Sequence, residues 1–395
     1  MFNKIEEAIE DIKSGKIIII VDDEDRENEG DFYMSSEFAT PENVNFMITH
    51  GKGLLCLTVD NKIAKQLDLD YMVRKNEDEL GTAFTFSIDH VKSKTGISAF
   101  ERSETILAAI DEKSTSKDFK KPGHIFPLIA KEFGVLERIG HTEASVDLSK
   151  LAGHRASGVI CEIIKSDGSM ARRDDLFILA EKYNLKIVTI KDLVDYRKKH
   201  YEYLVSSSEV ILPTEFGEFK CKSFTDLISG KEHLALFINE NDKTPMVRIH
   251  SECLTGDVFS SKRCDCGSQL SKSLEKIKIH GRGGLIYLRQ EGRGIGLTNK
   301  INAYKLQEGG CDTVEANLKL GFDVDEREYY VGSSILKDLG FTDIKLLTNS
   351  PDKIKSVSNL GISIEETVFI HGDTWDENRK YIQTKIEKLN HKSAV

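Results

Sequence analysis

Apolar residues at Ile5, Ala8, Ile9 and Ile12 recur every three or four positions with acidic residues between them, which predicts an amphipathic helix at the N-terminus. The period then changes. Short apolar runs rich in β-branched residues, at Ile17 to Val21, Leu54 to Val59, Phe84 to Ile88, Val159 to Ile163 and Ile187 to Ile190, predict strands. Helical stretches separate them, and the alternation predicts an α/β domain through about residue 200. Tyr196 to Ser208, YRKKHYEYLVSSS, closes a charged helix and runs into a serine cluster, and strand-like sequence resumes at Val210 to Leu212. A boundary placed there divides the chain into residues 1–204 and 205–395.

Length agrees with that division, because 395 residues at about 150 per domain make two or three domains. Acidic residues outnumber basic ones, 65 to 55, for a formal charge of −10, of which −7 falls through residue 200 and −3 beyond it. Neither half is a basic module, so no nucleic-acid partner is expected and any anionic substrate must meet local basic clusters. Seven cysteines, an odd number scattered along the chain, fit a reducing compartment better than a disulfide framework. No leader-like start and no apolar run of ~20 residues is present, so a cytoplasmic protein without a membrane partner is expected.

Candidate chemistry in the first half begins with DDEDRENEGD, Asp22 to Asp31, which packs seven carboxylates into ten residues. A solvated turn or a helix cap would account for an ordinary acidic run. This run follows a strand, however, and open α/β sheets bind ligands beyond strand C-termini. Hard carboxylates there suit Mg²⁺. KPGHIFPL supplies His124, RIGHTEASVDL supplies Arg138, Ile139, Gly140, His141 and Thr142, and GVICEI places Glu162 in an apolar run. Either histidine alone is more often structural than functional, whereas a buried carboxylate needs a partner or a task.

Taken in order, DDEDRENEGD, TGISAFERSETI, KPGHIFPL, RIGHTEA and GVICEI resemble 3,4-dihydroxy-2-butanone 4-phosphate synthase of riboflavin biosynthesis, over essentially residues 1 to 200. The resemblance implies an α/β sandwich with a mixed sheet. It also implies a Mg²⁺- or Mn²⁺-dependent enzyme that converts D-ribulose 5-phosphate to the four-carbon ketone phosphate plus formate. Carried over by position, Glu27 and His141 would hold the metal. Arg26, Glu27, Asp31, the run Arg138, Ile139, Gly140, His141 and Thr142, and Glu162 would hold substrate, while His124 and Glu162 would be essential for proton transfer. One departure is the loop Lys75 to Thr82, KNEDELGT, which is more acidic than the family's usual version and is expected to close over the site.

In the second half, Cys253, Cys264 and Cys266 form a C-x10-C-x-C arrangement. Three thiolates can bind zinc and leave a fourth tetrahedral position for water. A structural zinc with His250 or His280 as fourth ligand, a catalytic zinc and unmetallated cysteines are all open from spacing alone. Glu291, Gly292, Arg293, Gly294 and Gly296 follow an apolar strand, where glycines admit a phosphate and Arg293 neutralises it. As a bare glycine-rich turn the signal is weak, and it lacks both the Walker ending and the dinucleotide pattern.

The sequence RIHSECLTGD, RCDCGSQL, RQEGRGIGL, DTVEAN, GFDVDER and LLTNSP resembles GTP cyclohydrolase II from about residue 208 onward. The resemblance implies an α+β domain in which zinc, held by Cys253, Cys264 and Cys266, activates water to open the imidazole ring of GTP. Formate and pyrophosphate are released. GTP contacts fall on Arg248, Ile249, His250, Ser251, Glu252, Gln269, Glu291, Gly292, Arg293, Thr313, Thr348 and Lys353. Asp325 matches the proton acceptor and Arg327 a proposed nucleophile, although an arginine protonated in almost any setting suits phosphate stabilisation better. Tyr304 falls near the ring, and Lys262 and Asn302 depart from the family's usual residues. The expectation is a bifunctional enzyme, homodimeric as both families usually are. The alternatives are a metal-stapled binding module, or one catalytic half beside a degenerate scaffold.

Overall fold

The computed structural model describes residues 1–24 and 26–392; Asp25 of the acidic run and the last three residues of the second predicted domain lie outside the described residues. The chain forms two compact units, Met1–Arg197 and Lys198–Val395.

In the first unit the strands are β1 (Ile18–Val21), β2 (Gly30–Ser35), β3 (Cys56–Val59), β4 (Ile88–His90), β5 (Phe119–Ile129), β6 (Ser157–Glu162) and β7 (Ile187–Thr189). They join among the described residues as one mixed sheet in the order β4-β5-β3-β6-β2-β1-β7, with β1–β7 and β3–β5 parallel. The isoleucine run shows no polar alternation because both of its faces are covered. Ile19 and Val21 pack with Val44, Met47, Ile106 and Leu176, whereas Ile18 and Ile20 pack with Ile5, Ala8, Ile12, Leu148 and Leu193 on the other side. Helices therefore sandwich the sheet, and each fully buried isoleucine contributes about 1.5–3 kcal/mol. The predicted N-terminal helix spans Ile5–Lys13 and buries the four predicted apolar positions.

Two local expectations change. Phe84 to Ile88 is not a strand: Phe84 and Thr85 make single bridges to Leu128 and Tyr71, and β4 begins only at Ile88. Thr85 Oγ1 bonds the Pro127 carbonyl at 2.9 Å, which diverts the chain from a regular ladder. The acidic run, for which a helix cap is one reading, forms the loop of an antiparallel β1–β2 hairpin.

The second unit carries β8 (Leu204–Ser206), β9 (Val210–Thr214), β10 (Gly217–Asp226), β11 (Glu232–Asn239), β12 (Met246–Ser251), β13 (Arg282–Leu288), β14 (Asp343–Leu347) and β15 (Ser363–Val368). Their order is β15-β14-β12-β13-β11-β10-β8, with β9 on β10. The β15-β14-β12-β13 part is parallel and the remainder antiparallel, so a mixed α/β sheet replaces the expected α+β arrangement. The reason is the helix Cys266–His280, which crosses from β12 to β13 and lets them lie parallel. No helix among the described residues is long and apolar enough to cross a membrane.

Candidate active sites

The hairpin loop of the first unit is organised by Asp22, the buried residue that follows β1. Its carboxylate accepts from Arg26 Nη1 at 2.7 Å and from the backbone N–H groups of Glu27 and Glu29 at 3.2 and 3.0 Å. Arg26 also pairs with Glu27 Oε2 at 3.0 Å. His141 opens the helix His141–Leu151 and points its ring at this loop, with Nδ1 3.5 Å from Glu27 Oε2 and Nε2 4.0 Å from Asp31 Oδ1. Ligand atoms of Asp22, Glu27 and His141 all lie within 4.8 Å of one another, a spacing that can hold a metal ion. His141 Nε2 is buried with no hydrogen-bond partner, as a ring nitrogen waiting for a ligand would be. Burial pushes the Asp31 carboxyl up to about 7, against the pull of His141. Burial opposes the charged form of His141, but Asp31, Glu27 and Asp22 more than offset it and raise the ring to about 9.

Glu162 ends β6 directly opposite Asp31, and its Oε2 accepts the Leu54 N–H at 2.7 Å. Gly53 permits that approach, since a Cβ there would lie 2.5 Å from Glu162 Oε2. Arg138 is held by Glu143 at 2.5 Å and donates to the Leu80 carbonyl and Thr82 Oγ1 at 3.0 and 3.1 Å, so the acidic Lys75–Thr82 loop is fastened at one end. Thr142 is buried beside His141, Gly140 caps the helix, and Ile139 is exposed. His124 stands apart on β5, its Nδ1 2.7 Å from Asp89 Oδ2. Phe126 and Ile160 both pair with Cys56, so β3 lies between the strands that carry His124 and Glu162. TGISAFERSETI packs onto His124: Glu101 accepts the N–H groups of Lys94, Thr95 and Gly96, and a Cβ on Gly96 would meet Asp89 Oδ2 at 2.1 Å.

In the second unit, Arg248, His250, Ser251, Glu252, Cys253, Cys264, Cys266, Gln269, Glu291, Gly292, Arg293, Thr313, Arg327, Thr348 and Lys353 line one cavity. It opens where β12, β13 and β14 end, the carboxyl edge of the parallel strands. Two predicted residues do not line it. Ile249 is core, offering only its carbonyl to Lys353 Nζ at 2.8 Å, and Asp325 lies behind Arg327, bonding its guanidinium at 2.7 and 2.5 Å. Lys262 and Asn302 are exposed and take no part in the lining. Gly292, Arg293, Gly294 and Gly296 have φ of 63°, 64°, 97° and 84°. That path is strained for Arg293, by roughly 1–2 kcal/mol, and the Gly292 N–H in it donates to Glu291 Oε1 at 2.8 Å.

The three Sγ atoms also lie within 4.8 Å of one another, with Cys253 and Cys264 3.6 Å apart. Gly256 admits them, because a Cβ there would sit 2.8 Å from Cys264 Sγ. Hydrogen bonds from Cys264 and Cys266, with the Lys300 ammonium at 3.1 Å, hold Cys253 far below the usual thiol range and push the other two up, Cys264 to about 11. Neither histidine completes the cluster: His250 Nε2 faces Asp257 at 3.2 Å and His280 Nε2 faces the Thr244 carbonyl at 2.9 Å. The fourth side of the trio is left to the cavity.

A family model described as 3,4-dihydroxy-2-butanone 4-phosphate synthase matches residues 6–196, and one described as GTP cyclohydrolase II matches residues 205–369. Riboflavin biosynthesis protein RibBA of Bacillus cytotoxicus is 54% identical over 393 residues, 99% of each chain, and that of Bacillus subtilis is 54% identical over 394 residues, again 99% of each. The chain belongs to this bifunctional riboflavin-biosynthesis family. It is a lyase and a hydrolase on one polypeptide. A solved structure described as RibBX, a two-domain 3,4-dihydroxy-2-butanone 4-phosphate synthase from A. baumannii, aligns with TM-score 0.66 and 36% identity over 94% of this chain and 100% of that one.

Sequence reasoning passed over several residues of these synthase and cyclohydrolase units. Asp89 orients His124; Lys300 joins Cys253 to Glu291 Oε1 at 2.8 Å; Asp257 accepts from His250, the Cys253 N–H and Tyr287. Asp89 follows an apolar run as Glu162 does, and that signal could have found it. Lys300 and Asp257 carry no such mark.

Proposed function

We propose that residues 1–204 convert D-ribulose 5-phosphate to L-3,4-dihydroxy-2-butanone 4-phosphate plus formate. Glu27 and His141 hold Mg²⁺ or Mn²⁺, with the Asp22 carboxylate beside them. A divalent ion held there would supply positive charge beside the substrate's oxygens. Arg26, Asp31 and the Arg138–Thr142 turn hold the sugar phosphate, with guanidinium and helix N-terminal N–H groups as the anion's partners. His124, its ring oriented by Asp89, and Glu162 move protons.

Residues 205–395 hydrolyse GTP to 2,5-diamino-6-ribosylamino-4(3H)-pyrimidinone 5′-phosphate, formate and pyrophosphate. Zinc on Cys253, Cys264 and Cys266 supplies activation of water for ring opening. The thiolate donor set and the unfilled fourth side favour this over a structural zinc. Arg248, Arg293, Arg327 and Lys353 offer cationic partners to the triphosphate, while Ile249, His250, Ser251, Glu252, Gln269, Glu291, Gly292, Thr313 and Thr348 seat the nucleotide. Asp325 fixes the Arg327 guanidinium at two points, which favours its charged form. A charge-stabilising Arg327 therefore fits better than a nucleophilic one. By resemblance to both families, the protein is a cytoplasmic homodimer.

The observation that carries this reading is the presence of two separate donor sets, hard in one unit and thiolate in the other. Formate release measured on one preparation, with ribulose 5-phosphate plus Mg²⁺ and with GTP plus zinc, tests it. Both assays are expected to be positive, and silence in one would make that unit a scaffold.

A further inference from the structure

The matched cyclohydrolase region ends at residue 369, yet the chain beyond it reaches the nucleotide cavity, which Tyr381, Lys385 and His391 help to line. This segment is fastened at several of its described residues. The Asp373 N–H donates to Ser268 Oγ at 2.8 Å, and the fully buried Asn378 donates to the Cys264 carbonyl at 3.3 Å. Gly372 passes so close to Asp265 that a Cβ would lie 2.5 Å from that residue's own Cβ.

From the helix Arg379–Leu389, Lys385 Nζ reaches Asp265 Oδ1 at 2.9 Å, with the two side chains only 13% and 9% exposed. Asp265 Oδ2 accepts Gln269 Nε2 at 2.6 Å, and Gln269 Oε1 accepts Arg248 Nη2 at 2.7 Å. A carboxylate only accepts and a guanidinium only donates, so Asp265 and Arg248 together allow the Gln269 amide a single orientation. Asp265 lies between Cys264 and Cys266, where a buried carboxylate without its cation would be costly.

We propose that Lys385 is a positioning residue of the cyclohydrolase site. By neutralising Asp265 it lets that carboxylate set the Gln269 amide, which holds the Arg248 guanidinium against the nucleotide. The inference rests on the GTP reading above and adds the terminal helix to that site. Arg248 and Gln269 grip the nucleotide before and during reaction alike, so a loosened relay raises KM more than it lowers kcat.

The full-length protein with Lys385→Met is expected to show a KM for GTP raised roughly tenfold or more, with kcat changed much less. Bound zinc per chain and formate release from ribulose 5-phosphate should match wild type, and Lys385→Arg should recover most of the loss. Because the effect runs through Asp265, Asp265→Asn combined with Lys385→Met should cost little more than the worse single change. An unchanged KM in Lys385→Met, fully additive losses, or an Arg variant as impaired as the Met variant would overturn the proposal. So would loss of zinc from Lys385→Met, which would assign the helix to packing alone. A wild-type protein that releases no formate from GTP would instead overturn the reading of the site.

Discussion

The two units gather groups that could hold a metal ion from opposite materials. In the synthase unit the donors are two carboxylates and an imidazole on a hairpin loop and a helix start, and crowded negative charge shapes the site. Asp22 relieves the crowding by folding the loop around itself, accepting from Arg26 and two backbone N–H groups. In the cyclohydrolase unit the donors are thiols at element ends, brought together by a glycine, and one thiol is drawn toward thiolate by its neighbours and Lys300. Soft donors on stiff ends suit a permanent metal, and hard donors on a loop suit an exchangeable one.

The largest expected effects separate the units. Cys264→Ser should lose zinc and formate release from GTP by more than the ~10- to 100-fold typical of losing an outer-layer partner, while chemistry on ribulose 5-phosphate continues. Glu27→Ala should do the reverse, abolishing formate from ribulose 5-phosphate and leaving GTP chemistry intact. Metal content and both assays on each variant check this, and a substitution that silenced both assays would break the contrast.

A smaller effect sharpens the synthase side. Asp89 holds His124 by its ring Nδ1 and its backbone N–H, at 2.7 and 2.9 Å. Asp89→Asn keeps the shape but offers the ring a different partner, and formate release should fall about 10²-fold, the lower end of what a positioned acid–base group contributes. Metal binding in the same variant should be unchanged by calorimetry, because β3 separates this pair from the hairpin loop. Weakened metal binding would mean that Asp89 supports the metal loop as well as orienting His124.

How much could be read beforehand follows the same line. The cysteine trio was visible because its spacing is short and thiols are scarce, and the acidic loop because seven carboxylates crowd ten residues. The isoleucine run marked a strand, and its lack of polar alternation fits burial on both faces, but it could not reveal which helices cover them. Asp89, Lys300 and Lys385 were invisible for a physical reason: their partners lie 35, 47 and 120 residues away, and only the folded sheets bring them together. The hairpin stayed hidden because a strand followed by a polar run looks the same whether the next element pairs beside it or crosses over it.

The smallest effect uses the buried histidines, which the two units hold in opposite charge states. Without a metal on its ring His141 is raised to about 9, so what its charge contributes to stability is complete below pH 6.5 and lost toward 9, and a bound ion would take the place of that proton. His233, 2% exposed on β11 and accepting the Arg289 N–H at Nδ1, is lowered to about 4 by burial. Its folded value lies below the unfolded one, near 6.5. The contribution of the neutral ring is therefore complete above pH 6.5 and disappears as pH falls through 4. The chain's one tryptophan, Trp375, belongs to the second unit and reports it separately. Its fluorescence should give a denaturation midpoint that drops between pH 6.5 and 4 in the wild type and drops less in His233→Gln, whose amide oxygen can still accept from Arg289 without titrating. Equal drops would mean that the acid sensitivity of this unit arises elsewhere than His233, with His250 and His391, also lowered by burial, next to be changed.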